Sequence, residues 1–503
     1  MESIPVELSV IELLRGSRLA KGKRNQRVST IFKLNRSQAT LDFVDVDVQS
    51  DTNVFVSPRA LSLMQTDWGD GCVSLIQNFF ETVLQHIKAG NQASAEEMLR
   101  ELREPNETHL GMSSGKSRGR ALGEGSAHDV WSALSQSAAA KSGLVQDLED
   151  TVLLIPGIGV DIVSDISTNI IRGPLIEYTQ EQSRQLGIPL SVGVPSGPMW
   201  HAGRREWVTE FVELPITNFG KLLLVPKAIV RRTPLFNMQE YYRHYMLEHM
   251  QQEELKAGSA LIKIVKKQPK VHKSDLIKKY GGDKKAVIEQ TVKYPQVLDD
   301  YKREVGKRPF LPLSHEEFDY VEDEPPVDWD ALLKNVTSLP TGNENATKYE
   351  KAIEALLTAL FYPDLVSPVY QSEIHQGRKR IDIRYTNMAG AGFFAWLAKH
   401  YTAPHVFIEC KNYGNEIANP ELDQISSRFG RSRGEFGIIV CRKFKNKALF
   451  LQRCRDTALD GRGFVIAVDD ADLAATVEAR KTDDEPRYRK HPMLQERFDA
   501  IIS

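Results

Sequence analysis

The sequence predicts an α/β protein: a C-terminal mixed sheet flanked by helices, preceded by a larger mixed α/β N-terminal region. Three observations carry that expectation. After residue 341, short apolar runs alternate with segments of helical spacing, in the order αββαβαβαβα. An acidic, Pro-containing stretch, residues 316–340, parts this regular pattern from the chain before it. Finally, the apolar run at residues 405–413 carries a carboxylate and an ammonium where a core strand should stay apolar.

Length and composition set the frame. With 503 residues the chain has material for about three domains and sizeable cores. Its 41% hydrophobic and 26% charged residues, with a formal net charge of −2, leave only local clusters to argue for nucleic acid. Cys72, Cys410, Cys441 and Cys454 have no CxxC spacing, so neither a zinc site nor a disulfide framework is indicated, and a reducing, cytoplasmic setting is expected. The first residues lack the basic-then-apolar plan of a signal peptide. No run approaches the ~18 apolar residues of a membrane span, so no membrane partner is expected.

Five segments follow: a mixed α/β region (1–105), a central α/β region with Gly-rich loops (106–258), a basic helical segment (259–315), the acidic linker (316–340) and the C-terminal domain (341–503). In the first, residues 29–33 and 39–48 read as strands, and 74–87 has the apolar spacing of a helix. Residues 111–125 form a Gly/Ser/Arg-rich loop. Its Gly115-Lys116-Ser117 lacks the leading glycine of a nucleotide P-loop, since position 110 is Leu, so a mobile basic loop is expected. Residues 153–166 resemble the hairpin of a helix-hairpin-helix DNA-binding motif through Pro156-Gly157-Ile158-Gly159; a tight glycine turn between two core elements reads as well. Asp161 and Asp165 sit four apart, the spacing of a solvated helix face.

Residues 207–232 read as two strands around Asn218-Phe219-Gly220, and 237–256 as a long polar helix. Residues 261–308 then hold 14 Lys/Arg against 6 Asp/Glu. Within them Lys278, Lys279, Lys284 and Lys285 flank a Gly281-Gly282 turn between two helices. This patch reads equally as a clamp for a phosphate backbone and as a solvated helical face.

In the C-terminal domain, residues 347–361 read as an amphipathic helix, and 366–374 and 380–386 as strands around a Gln376-Gly377 turn. A helix at 393–401, the charged strand, a helix at 419–429, a buried strand at 436–441, a helix at 445–459, a strand at 464–468 and a helix at 470–479 complete the order. Alternation puts Val406, Ile408 and Cys410 on one face of the charged strand, and Phe407, Glu409 and Lys411 on the other. On the preceding strand Asp382 stands between Ile381 and Ile383 and is expected to face away from both, toward the side of Glu409 and Lys411.

An acid on one strand and Glu-x-Lys on its apolar neighbour resemble the PD-(D/E)XK nuclease superfamily. With Glu350 in the first helix and Gln424 after the strand, the likeness is to its Mrr-type restriction endonuclease and archaeal Holliday-junction-resolvase branch. It covers roughly residues 345–475 and nothing before the linker. No proline precedes Asp382, and residues 387–405 lengthen the gap to Glu409; that insert, with Phe393, Phe394, Trp396 and Leu397, packs on the sheet or lids the site.

The resemblance implies a restriction-endonuclease-like core and a DNA endonuclease of restriction or anti-phage defence. It implies Mg²⁺ or Mn²⁺ held by Asp382, Glu409 and the carbonyl of Cys410, with Lys411 serving the nucleophilic water. Glu350 would hold a second metal or the nucleophile, and Gln424 would contact the phosphate or Lys411. Arg428, Arg431 and Arg433 are candidates for phosphate contact. The N-terminal region would then recognise substrate, a trigger, a partner protein or a second copy of the chain.

Each position also has a structural reading. Asp382 suits a strand end, Glu409–Lys411 a plain ion pair, Gln424 an ordinary helix surface, and the arginines a solvated turn. Glu350, three residues after Thr347, has the spacing of a capping box. A nucleic-acid-binding or sensor protein with a degenerate nuclease fold is the rival function, and RNA the rival substrate.

Overall fold

A computed structural model describes residues 26–64, 66–111, 148, 150–155, 157–308, 310–374, 379–414, 417–482 and 491–503. The Gly115-Lys116-Ser117 loop, Pro156, the Gln376-Gly377 turn and the first residues of the chain lie outside the described residues.

The protein is mixed α/β, and its C-terminal part holds one five-stranded sheet. Strands β1 (Leu365–Ile374), β2 (Lys379–Asn387), β3 (His405–Lys411), β4 (Phe436–Cys441) and β5 (Phe464–Asp469) lie side by side in chain order. The first two pairings are antiparallel and the last two parallel. All six residues of β4 are buried, as expected of a central strand covered on both faces.

Helices α1 (Ala346–Phe361), α2 (Gly392–His400), α3 (Asn419–Ser426), α4 (Lys447–Leu459) and α5 (Asp470–Lys481) occupy the expected places. A further helix, α6 (Pro492–Ile502), was not foreseen. It inserts Phe498 into an aromatic group, with ring centroids 4.8 Å from Tyr401, 5.3 Å from Phe464 and 5.6 Å from Trp396. The insert between β2 and β3 therefore packs into the core, where Phe393 and Phe394 are buried. It joins the strand ends remote from Asp382 and Glu409, so it forms no lid over them.

A second apolar core fills the N-terminal part. Helix Asp67–Ala89 contains the expected residues 74–87; the Thr66 side chain caps its start and Gly90 ends it in the left-handed conformation. The expected strands at 29–33 and 39–48 do not form. Residues Val28–Ile31 are helical and Gln38–Thr40 make a 3₁₀ turn. The apolar run that follows is buried, but its backbone is satisfied piecemeal rather than by a ladder. Val44 N–H donates to Val225 O, and the Gln38 amide bonds both Phe43 O and Asp45 N–H. Residues 207–232 likewise give short hairpins, among them Ile216–Thr217 with Gly220–Lys221, while Leu222 to Val225 are buried without strand pairing. The polar helix runs through Met238–Tyr241, a π-turn at Tyr242–Met246, and Leu247–Lys256.

The acidic stretch is not a free linker. It carries helices His315–Glu322 and Trp329–Thr337. The first buries Phe318 in the N-terminal core and Glu322 against Arg27; the second packs Val336 in the C-terminal core. Charge and proline hid this, because the few apolar positions are the ones that dock. The N-terminal core also includes Tyr362 and Val366. His315 Nε2 lies 2.9 Å from Ala359 O, Asp42 Oδ1 accepts the Ser367 N–H at 2.8 Å, and Arg36 is ion-paired with Glu354. Among the described residues no helix is long and apolar enough to cross a membrane, and all four cysteines are free and buried.

Candidate functional site

The pairing of β2 with β3 brings the predicted acids together. Ile383 faces Ile408 across the ladder, which sets Asp382 beside Glu409. Beyond that pair, Asp382 Oδ2 accepts the Cys410 N–H at 2.8 Å, where a regular ladder would offer a backbone carbonyl. The strand is also turned there. Ile381 packs with Phe407 and Phe429, whereas Ile383 belongs to the main core with Ile408. Strict alternation, which expected Asp382 to face away from both isoleucines, therefore fails at Asp382. On the neighbouring strand, Gln371, between the pairs Tyr370–Ile383 and Ser372–Ile381, has a φ of 51°, a conformation rarely adopted outside glycine.

Glu409 is 1% exposed. Its Oε1 accepts from Lys411 Nζ at 2.8 Å and from the Gln424 amide, while Gln424 Oε1 accepts from Lys411 Nζ at 3.0 Å. Glu409, Lys411 and Gln424 thus close a triangle, with Gln424 supplied from α3. The other oxygen, Oε2, is buried with no hydrogen-bond partner. A buried carboxylate oxygen left bare is costly, and what it lacks is a cation or a proton. Burial, and next the Glu409 charge beside it, push the Asp382 carboxyl up to about 7. Buried Cys410 has its thiol pushed far up, by burial first and then by the charges of Asp382, Glu350 and Glu409.

Glu350 belongs to this group and not to a helix cap. Helix α1 starts after Asn345 with no side-chain cap, which leaves Thr347 inside the helix. The Glu350 carboxylate instead accepts from Tyr370 Oη and Gln371 Nε2, both at 2.7 Å. Sequence reasoning missed these two anchors. They are adjacent on β1 and reach one acceptor because Gln371 is in the left-handed conformation, which nothing in the local sequence announces.

The basic candidates divide. Lys279 pairs with Glu254 at 2.8 Å. Lys284 donates to Val152 O at 2.6 Å and Ile158 O at 3.1 Å, and burial pulls its ammonium down to about 8. Lys284 therefore ties down the glycine turn between helices Asp150–Leu154 and Val160–Ile170. Lys278 and Lys285 are exposed. Arg433 folds back onto Arg428 O and Phe429 O, Arg428 is half-buried, and Arg431 is exposed. Asp165 is half-buried rather than solvated. Burial, then Glu104, Asp161 and Asp51, raise its carboxyl to about 8.

Comparison with known proteins finds a likeness in the N-terminal part. Residues 33–237 match a family model described as a domain of unknown function (DUF8370). No curated protein and no solved structure matches the chain. The matched stretch lies wholly before the Asp382–Glu409–Lys411 group and runs across residues 105 and 106, where two segments were expected to meet.

Proposed function

We propose that the C-terminal sheet is a restriction-endonuclease-like core of the PD-(D/E)XK type, and that the protein is a metal-dependent endonuclease hydrolysing DNA phosphodiester bonds. The observation that carries the reading is the bare, buried Glu409 Oε2 beside Asp382, while its sister oxygen is taken by Lys411 and Gln424. Among the described residues no three His, Cys, Asp or Glu side chains are grouped to hold a metal. Two carboxylates suffice for Mg²⁺ or Mn²⁺, hard ions that keep several waters and take few protein oxygens. Asp382 and Glu409, with the Cys410 carbonyl, are the residues that would hold one. Such an ion would polarise the scissile phosphate and acidify a water.

The remaining roles belong to the chain. Lys411, 11% exposed at its side chain and fixed by two acceptors, offers its third proton to the nucleophile or to the charge developing on phosphorus. Gln424 sets the direction of that ammonium. Glu350, held by Tyr370 and Gln371, adds a third negative charge and orients the attacking water. Restriction or anti-phage defence in the cytoplasm is the setting this reading favours, with the N-terminal region choosing the substrate.

Incubation with plasmid, linear duplex, single-stranded DNA and RNA, in Mg²⁺, Mn²⁺ or EDTA, tests it. Cation-dependent cleavage of DNA is expected. Cleavage of RNA alone would move the substrate class, and no cleavage under any condition would end the reading.

A further inference from the structure

Between the N-terminal part and the candidate site lies a cleft of about 320 Å³, at the small end of the range that small-molecule pockets occupy. One wall comes from residues 34–42 and the helix Arg172–Leu186, the opposite wall from the helix Trp329–Thr337, α1 and β1. Tyr370 belongs both to this wall and to the candidate site, since its hydroxyl donates to Glu350 at 2.7 Å.

Gln182 lines the cleft, is only 5% exposed, and has no hydrogen-bond partner among the described residues. With no such partner, the Gln182 amide is left open on the cleft wall, where a ligand can meet it. What an amide satisfies best is a neighbouring donor and acceptor on one edge, as a nucleobase offers. Leu186, Leu332 and the Tyr370 ring supply apolar wall for a flat group. Arg36 is neutralised by Glu354, which leaves the exposed Lys351, on the opposite wall, as the cation of the cleft.

We infer that this cleft binds a nucleotide, its base edge against the Gln182 amide and its phosphate toward Lys351. Resting on the nuclease reading, the inference deepens it: a base of the substrate strand enters the cleft while a phosphate of that strand lies at Asp382 and Glu409. A free nucleotide shares the chemistry and is the other source. The matched family stretch supplies Gln182 and residues 34–42, which gives that stretch a part in choosing sequence.

The test uses the full chain in EDTA, so that binding is read without cleavage. The four mononucleotides are titrated by calorimetry, and labelled single strands of each base by fluorescence anisotropy. Wild type is compared with Gln182→Leu, Gln182→Glu and Lys351→Ala, after thermal melts. Gln182→Leu should melt near wild type, because the Gln182 amide has no hydrogen-bond partner among the described residues to lose. It should also lose about 10-fold in preference among bases, the scale of one bidentate amide–base contact. Gln182→Glu, with its donors gone, should alter the preferred base, and Lys351→Ala should weaken every base alike.

Loss of preference on strands alone assigns the cleft to the substrate strand; loss on mononucleotides as well assigns it to a free nucleotide. Unchanged binding by both Gln182 variants, or no nucleotide or strand binding in wild type, overturns the inference. The two readings fail separately. Binding that depends on Gln182 without any cleavage in Mg²⁺ or Mn²⁺ removes the nuclease and keeps the cleft. Cleavage with a base preference unchanged by Gln182→Leu and Gln182→Glu does the reverse.

Discussion

At the residue scale, the chemistry rests on which oxygens are free. Asp382→Ala, Glu409→Ala and Lys411→Ala are each expected to abolish cleavage with the fold intact. Full activity in purified Asp382→Ala on plasmid DNA would move the site elsewhere. Glu350 gives a sharper test. Gln at this position keeps an oxygen for Tyr370 and Gln371 but carries no charge. Glu350→Gln should melt near wild type and lose most of its cleavage rate; equal rates would reduce Glu350 to a strut between α1 and β1. Asp165 predicts a pH effect. Its folded value of about 8 lies above the ~3.9 of an unfolded aspartate. The folded state therefore binds the extra proton between those values, and the stability it brings is lost as pH rises through 8. Asp165→Asn should melt increasingly above wild type from pH 5 to pH 9, by on the order of a few kcal/mol at most. A gap that stays constant over that range would refute the assignment.

At the scale of elements, the basic helices do two jobs. Lys284 spends its ammonium on the half-buried carbonyls of Val152 and Ile158, so Lys284→Ala should cost about 1 kcal/mol by removing both hydrogen bonds. Its effect on the salt dependence of DNA binding should be small. Lys278→Glu with Lys285→Glu removes only exposed charge, and should leave the melt alone while making log affinity less steep in log salt. The opposite pattern in chemical denaturation and salt titration would reverse these roles. The same lesson holds in the sheet. Gln371 and Ser367, at φ 51° and 50°, aim β1 toward Glu350 at one end and toward Asp42 at the other.

At the scale of the whole molecule, two cores are held together by polar contacts that a free linker would not allow. Phe318 and Glu322 are buried, whereas Asp323, Pro325 and Pro326 are exposed. Limited proteolysis should therefore nick the chain near residues 323–328. The two pieces should nevertheless elute together on gel filtration, held by Arg36–Glu354, Asp42–Ser367 and His315–Ala359. Separation of the pieces in native buffer would mean that these contacts are too weak to join the parts.

The sequence by itself determined the C-terminal element order, the position of the charged strand and the identity of the residues on it. Period-2 and period-3.6 patterns are local, and β3 and β4 are apolar enough to be read directly. It also marked Glu350 and Gln424, without deciding what either touches. Only the tertiary structure decided that Glu350 leaves the helix start for Tyr370 and Gln371, that Glu409 keeps one oxygen bare, and that Lys284 serves a distant turn. Those outcomes depend on a left-handed strand residue and on partners as far as 132 positions apart. Residues 39–48 failed as a strand for the same reason. Alternation reports burial, but whether a buried backbone joins a ladder depends on who stands beside it, and here Gln38 and Val225 took its hydrogen bonds.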